Sequence, residues 1–329
     1  MKDLDADILW GVFPVHPDMP ADHYHTPIMT KQVKACLQPA PGMLILDGTA
    51  GGGGHTRLLA EAGAEVIALD QDSEALDACR RNLEGFESQV RLVKSNFRDA
   101  AGALASLGET RPLNGVLLDI GVSSHQLDEA ERGFSFQSEG PLDMRMDKGE
   151  GQTAADLVNN LPAQSLEEIF STLGEEPQAR RIAAHLVTRR AKCPLLTTRD
   201  LAEAVQEVVP KRGPRHPATK VFQALRIAVN DELGSLRQVL QTIPPLLAPG
   251  ARLAVITFHS LEDRIVKVFF REHSREWIDK PEWPRPKRNP DREFHLLTPH
   301  PITPSAGEMQ RNPRSRSAKL RVVEKLPNP

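Results

Sequence analysis

The sequence predicts an α/β fold: a mostly parallel sheet with an antiparallel last strand, interrupted by an inserted all-helical domain. Three observations lead there. Apolar runs at Met43–Leu46, Val66–Leu69 and Gly115–Leu118 each end in an acid, Asp47, Asp70 and Asp119. Such runs read as parallel strands buried on both faces. Helical patterns alternate with them as far as residue 126, the mark of a doubly wound sheet. From Leu127 to Lys220 only helical patterns occur, and strand-like residues return at Arg252–Thr257.

The first strand anchors the rest. Asp47 opens a loop containing Gly48, Gly51, Gly52, Gly53 and Gly54, and a helical pattern follows from Thr56 to Ala62. Strand, glycine-rich turn and helix is the opening of a nucleotide-binding α/β domain. Asp70 lies 23 residues after Asp47 at the tip of the second strand, where a ribose diol is gripped. Loop and acid together predict an adenosine-containing cofactor. Alone they leave a dinucleotide and S-adenosylmethionine both open.

The other elements follow in order. Residues 1–22 read as a loose extension. Thr26 suits a helix N-cap and Pro27 the first helical position, with Ile28, Val33 and Leu37 as the buried side. Asp72 or Ser73 caps a helix running to about Glu84. Val90–Lys94 is the third strand and delivers Phe97 to the sheet rim, and Ala100–Leu107 is a helix. The insert reads as helices at Ala154–Asn160, Gln164–Leu173, Gln178–Arg190 and Thr198–Val209, divided by Pro162, Pro177, Pro194 and Pro210. One long helix is expected over Ala218–Thr242, then the fifth strand and a helix at Leu261–Arg271. Phe294–Thr298 reads as an edge strand and Ala318–Val323 as the antiparallel last strand. The domains are therefore 23–126 with 221–329, and the insert 127–220.

Composition narrows the function. The chain has 329 residues, 40% of them hydrophobic, enough for a sizeable core. Cys36, Cys79 and Cys193 lie far apart and form no Cys-x-x-Cys pair, as in a reduced, cytoplasmic protein. No metal centre is expected, because no cysteine or carboxylate cluster joins His23 and His25. The acidic segment Met1–Asp7 is unlike a signal peptide, and no run approaches the ~20 apolar residues of a membrane span. Net charge is −3, yet residues 177–220 carry ten Lys/Arg against three Asp/Glu, and residues 280–321 ten against four. Two basic surfaces on an acidic body point to a nucleic-acid partner. Within the first, Arg180, Arg181, Arg189, Arg190, Lys211, Arg212 and Arg215 are candidate phosphate contacts.

Several motifs carry a resemblance. They are His25–Thr26–Pro27, Asp47–Gly48–Thr49 with Gly53–Gly54–His55, and Asp119–Ile120–Gly121–Val122–Ser123–Ser124. Gln126–Leu127–Asp128, Glu131–Arg132–Gly133–Phe134–Ser135–Phe136 and Gly140–Pro141–Leu142–Asp143–Met144–Arg145–Met146–Asp147 follow. Further on stand Gly174–Glu175–Glu176, His216–Pro217–Ala218–Thr219, Phe258–His259–Ser260–Leu261–Glu262–Asp263–Arg264 and Asn312–Pro313–Arg314. Over about residues 23–325 the chain resembles the MraW family of ribosomal RNA small-subunit methyltransferases.

The resemblance implies a class I (Rossmann-like) methyltransferase fold with an inserted substrate-recognition domain. It implies S-adenosyl-L-methionine as cofactor. It also implies methylation of the N4 amine of one cytidine in the decoding region of 16S rRNA, in an assembled or nearly assembled 30S subunit. Gly53, Gly54, His55, Asp70, Phe97, Asp119 and Gln126 would line the cofactor. Asp70 would take the ribose hydroxyls, and Asp47 would meet the amino-acid end. A cytosine amine is a poor nucleophile, and acceptors on its hydrogens would pull the nitrogen toward tetrahedral geometry, which makes Asp119 and Ser123 the catalytic candidates. Amino-methyltransferases commonly place Pro-Pro and an aromatic after the fourth strand, whereas Gly121–Val122 stand here. His259 reads equally as catalytic or as a structural hydrogen-bonder. Asp143, Arg145 and Asp147 read as an internal ion-pair knot. Monomer and homodimer are both open from the sequence.

Overall fold

The computed structural model describes residues 27–210, 213 and 216–327. The expected extension 1–22, the Thr26 cap and the candidate contacts Lys211, Arg212 and Arg215 lie outside the described residues.

In chain order the elements are α1 (Thr30–Leu37), β1 (Leu44–Asp47), α2 (Gly54–Glu61), β2 (Glu65–Asp70), α3 (Ser73–Asn82), β3 (Val90–Lys94), α4 (Ala100–Ser106) and β4 (Leu113–Asp119). Then come α5 (Ser124–Asp128), α6 (Ala154–Asn160), α7 (Ala163–Thr172), α8 (Ala179–Arg190), α9 (Thr198–Val208), α10 (Thr219–Asn230) and α11 (Glu232–Thr242). The chain closes with β5 (Leu247–Thr257), α12 (Ser260–Ser274), β6 (Trp277–Ile278), β7 (Lys287–Arg288), β8 (Phe294–Leu296), α13 (Ala306–Arg311) and β9 (Lys319–Lys325). It divides into two compact units: residues 122–233, and residues 27–121 with 234–327.

The second unit holds a seven-stranded sheet of order β3-β2-β1-β4-β5-β9-β8. The strands from β3 to β5 are parallel, and β9 runs antiparallel between β5 and β8. Thus the antiparallel last strand and the Phe294 edge strand form as expected. Each face is covered. On one, Leu46, Leu118 and Val255 pack with Leu236, Val239 and Val266 from α11 and α12. On the other, Ile45, Leu117 and Ala254 pack with Val33 and Leu37 of α1 and Leu59 of α2. Burial on both faces is why β1, β4 and β5 read as unbroken apolar runs.

The other unit is helical. Thr153 and Thr197 cap α6 and α9 through capping boxes with Asp156 and Asp200, each satisfying amide donors that a helix start leaves unpaired. Phe170, Ile182, Leu186, Leu201, Val205 and Phe222 are fully buried among these helices. Arg145 meets Asp143 in a two-pronged ion pair at 2.8 Å on each prong, so that part of the expected knot forms.

Two expectations need correction. The first helix begins at Thr30, not at Pro27, because Met29 takes a left-handed conformation (φ 51°) ahead of it. The Met29 N–H donates to the Glu308 carboxylate. The helix expected over Ala218–Thr242 breaks at Asp231, which is left-handed at φ 46°. Asn230 donates to the Met144 carbonyl at 2.8 Å and accepts from the Met146 N–H at 2.8 Å, fixing the turn. Across the break Arg226 and Glu232, both buried, make two charge-assisted hydrogen bonds of 2.8 and 2.9 Å.

Candidate cofactor site

The carboxyl ends of β1, β2 and β4 bring Asp47, Asp70 and Asp119 to one rim of the sheet, the side on which open α/β sheets bind ligands. Each acid does something different.

Asp47 is wholly buried. Its Oδ2 accepts from the Thr56 hydroxyl at 2.7 Å and its Oδ1 from the Thr49 N–H at 3.2 Å. It therefore braces the loop against α2 and presents no surface to a ligand, which corrects its expected contact with the amino-acid end of a cofactor. Burial pushes its pKa up, opposed by the neighbouring His55 and the Thr56 hydroxyl. Thr49 also ties the loop to β4, its hydroxyl accepting from the Asp119 N–H at 2.7 Å.

Asp70 accepts the Gly51 N–H on Oδ2 at 2.8 Å and the Asp72 N–H on Oδ1 at 2.9 Å. Burial pushes its pKa up to about 6, against the pull of those two N–H groups. Each carboxylate oxygen keeps a further lone pair, so a diol can donate to a carboxylate already held in place. Beside it Asn96 donates to Gln71 at 2.7 Å, and Phe97 opens the short 3-10 turn Phe97–Asp99.

The glycines divide by purpose. A Cβ on Gly54 would lie 2.7 Å from the Pro27 ring, and one on Gly53, which has φ +85°, would lie 2.9 Å from the Cys79 sulfur. Both are required by the protein's own packing. Gly51, at φ +50°, has nothing within 4 Å of where a Cβ would stand. The open side of the cradle is therefore Gly51, next to Asp70.

His55 sits in the first turn of α2 and is 4% exposed. Its Nε2 lies 3.5 Å from Asp119 Oδ2. That distance is an ion-pair separation rather than an aligned hydrogen bond, and both ring nitrogens and Asp119 Oδ1 are buried without hydrogen-bond partners. His55 does not cap its helix, whose N-cap is Gly53. Burial works to lower the His55 pKa, but Asp119 and Asp47 outweigh it and the net shift is upward. Buried polar atoms without partners are costly, and here they stand together at the end of β4.

Of the remaining candidates, Ser123, Gln126 and the α8 arginines lie in the helical unit and His259 in the sheet-bearing one. Ser123 and Gln126 form a capping box on α5: Ser123 Oγ accepts from the Gln126 N–H at 3.2 Å, and Gln126 Oε1 accepts from the Ser123 N–H at 3.0 Å. Ser123 thus spends an acceptor position on the backbone. On α8, Arg180 and Arg181 are exposed. Arg189 pairs with Glu207 at 2.6 Å, and Arg190 donates to the Val158 carbonyl at 2.5 Å, so these two are engaged within the fold. His259 is the N-cap of α12, its ring accepting from the Glu262 N–H, and its Nε2 lies 2.9 Å from Glu262 Oε1. Among the described residues no helix is long and apolar enough to cross a membrane.

A parallel, acid-tipped sheet with a glycine cradle and an antiparallel strand inserted before its edge is a Rossmann-like methyltransferase fold. Comparison with known proteins carries this further. Residues 22–326 match the model of the MraW methylase family. A ribosomal RNA small subunit methyltransferase H of Heliobacterium mobile is 47% identical over 311 residues, covering 93% of this chain and all of the relative. One from Syntrophotalea carbinolica is 50% identical over 308 residues, covering 92% and 98%. A solved structure of an rRNA methylase from Streptococcus thermophilus covers 91% of this chain and 94% of its own, at 12% identity and a TM-score of 0.41; that likeness is too distant to carry an argument. The chain belongs to the MraW methylase family.

Proposed function

We propose that this chain transfers a methyl group from S-adenosylmethionine to the exocyclic N4 amine of a cytidine in the decoding region of small-subunit rRNA. The observation that carries the cofactor half is the Asp70 carboxylate, pre-positioned by two N–H groups beside the open Gly51. Electrostatics support the same ligand. Among the described residues the rim brings together three acids, Asp47, Asp70 and Asp119, and His55, whose pKa the acids raise; a site so rich in acids favours a cationic guest. S-adenosylmethionine carries a sulfonium and an ammonium, whereas a pyrophosphate-bearing dinucleotide would meet repulsion.

The bound cofactor supplies a methyl group already electrophilic enough to be displaced. The chain's own task is alignment. Asp70 and Gly51 hold the nucleoside end. Asp119, held to the loop through Thr49 and steadied by His55, is the acceptor best fitted to an amine hydrogen, since its Oδ1 is uncommitted. An acceptor there concentrates the nitrogen lone pair for attack and takes up the positive charge that develops. Ser123 is the weaker candidate because its oxygen is engaged in the α5 cap.

The substrate half rests on family membership and on relatives of 47–50% identity that match over nearly their whole length. The exposed Arg180 and Arg181 of α8 suit phosphate contact. An assembled or nearly assembled 30S subunit in the cytoplasm is the expected partner. Labelled S-adenosylmethionine incubated with 30S subunits and the protein should place label in the small-subunit rRNA. Absence of label, with the cofactor demonstrably bound, overturns the substrate assignment; binding of a nicotinamide dinucleotide in its place overturns the cofactor assignment.

A further inference from the structure

Beyond α12 the chain makes a short arm whose construction the methyl-transfer site does not account for. Its strands β6 and β7 pair antiparallel, Trp277 against Arg288 and Ile278 against Lys287. Asn289 pins the base, its side-chain amide donating to the carbonyls of Glu272 and Arg275 at 2.7 and 3.0 Å and its N–H to that of Glu276 at 2.9 Å. The turn is closed by the Trp283 N–H on the Lys280 carbonyl at 2.9 Å. Pro281, Pro284, Pro286 and Pro290 restrict the backbone, so an occupant meets a surface with little freedom left to lose.

The arm carries two of the chain's three tryptophans, Trp277 exposed and Trp283 half-buried. Trp277 is 53% exposed. Cations lie over both indoles: Lys287 and Lys280 are 4.7 and 5.2 Å from the Trp283 ring centre, and Arg288 is 5.9 Å from that of Trp277. Lys280, Arg285, Lys287 and Arg288 are exposed.

A solvated basic turn would not need indoles, since exposed tryptophan forgoes the burial that makes the residue worth having. A protein-docking patch concentrates its apolar residues at the centre and moves charge to the rim. A membrane-surface element keeps a continuous apolar face. Here each ring carries a cation over its face at 4.7 to 5.9 Å, and base stacking on aromatic rings accompanied by positive charge is how single strands are held.

We propose that the β6–β7 arm docks a single-stranded segment of RNA, with bases stacked on Trp277 and Trp283 and phosphates on Lys280, Arg285, Lys287 and Arg288. The proposal deepens the rRNA reading and rests on it for the identity of the natural strand. The α8 helix, by contrast, has exposed arginines but no Phe, Trp or Tyr.

The test uses the full chain, end-labelled decacytidylate, and fluorescence anisotropy. The double variant W277A/W283A should weaken binding at least about tenfold, since each lost stack carries about that factor. W277F/W283F, which keeps a ring at each position, should recover part of the loss and shows that the arm still folds. K287Q/R288Q should reduce the slope of log affinity against log salt by about 1.4, two phosphates' worth for a single strand. On 30S subunits W277A/W283A should raise KM and leave kcat in place. Wild-type affinity in W277A/W283A overturns the proposal, as does equal weakening toward duplex RNA. Loss of 30S binding with decacytidylate binding intact also overturns it, and assigns the arm to a ribosomal protein. If no rRNA is methylated while the decacytidylate results hold, the rRNA reading fails and the arm stands.

Discussion

Cofactor affinity should fall about tenfold when pH is lowered from 7 to 5, and Asp70→Asn should abolish the Asp70 part of that fall. Burial pushes the Asp70 carboxyl up to about 6 in the free protein. Ribose hydroxyls donate best to an ionised carboxylate, so binding draws the pKa back toward its ordinary value of about 4. At pH 7 roughly nine free molecules in ten already carry the charged form; at pH 5 roughly one in ten does, and the binding constant drops in proportion. The effect on stability has the opposite sign. Between about pH 4 and 6 the folded chain keeps a proton that the unfolded chain releases, so the free protein loses stability as pH rises through that window. Two pKa units bound this loss at about 3 kcal/mol. Titration calorimetry with S-adenosylhomocysteine reads the affinity, since the ligand's own groups do not ionise between pH 5 and 7. His55, its pKa raised by Asp119 and Asp47, belongs to the same rim, so Asp70→Asn is the reference. The variant should bind about ten- to a hundredfold more weakly at pH 7, the value of hydrogen bonds to a charged group, and show a flatter pH profile. Parallel profiles for the two proteins would refute the assignment of Asp70 as the diol ligand.

Arg180→Ala with Arg181→Ala should weaken RNA binding and reduce its salt slope by about 1.4 without moving the melting temperature. Arg189→Ala with Arg190→Ala should instead lower the melting temperature, because those side chains bond Glu207 and the Val158 carbonyl; filter binding and thermal melts separate the two. Gly54→Ala sets a methyl 2.7 Å from Pro27, and chemical denaturation should register a loss of about 1–3 kcal/mol. Glu232→Ala leaves the buried Arg226 guanidinium without its carboxylate and should cost about 3–5 kcal/mol by the same measurement.

Much of the fold was legible because it is repetitive. Strands buried on both faces are apolar throughout, and those that carry the site end in acids at the rim. Asp72 caps its helix as its side-chain chemistry predicts; Thr153 and Thr197, caps that the structure adds, carry the same kind of signal. What sequence reasoning missed is held by distant partners. The break at Asp231 follows from Asn230 reaching residues 144 and 146, which no local pattern reveals. Asp47 and Asp70 look alike in the chain, each an acid at a strand end. Thr56 and Thr49 turn the first into a buried brace, while Gly51 and Asp72 leave the second open to a ligand. The Ser123-x-x-Gln126 spacing does carry a capping-box signal for α5, and it bears on the catalytic candidates by claiming the Ser123 oxygen. No such signal marks His259, because histidine is not an ordinary N-cap. Gly53 and Gly54 are needed for packing against Cys79 and Pro27, neighbours remote in sequence.

The most direct test of the central claim is mass mapping of small-subunit rRNA after reaction of 30S subunits with S-adenosylmethionine and the protein. A single cytidine in the decoding region should gain one methyl group on its N4 amine, and Asp119→Asn should remove that gain even at cofactor concentrations that saturate the variant. Methylation on another base or at a ring position, or an unmodified rRNA from a protein that binds the cofactor normally, would contradict the account.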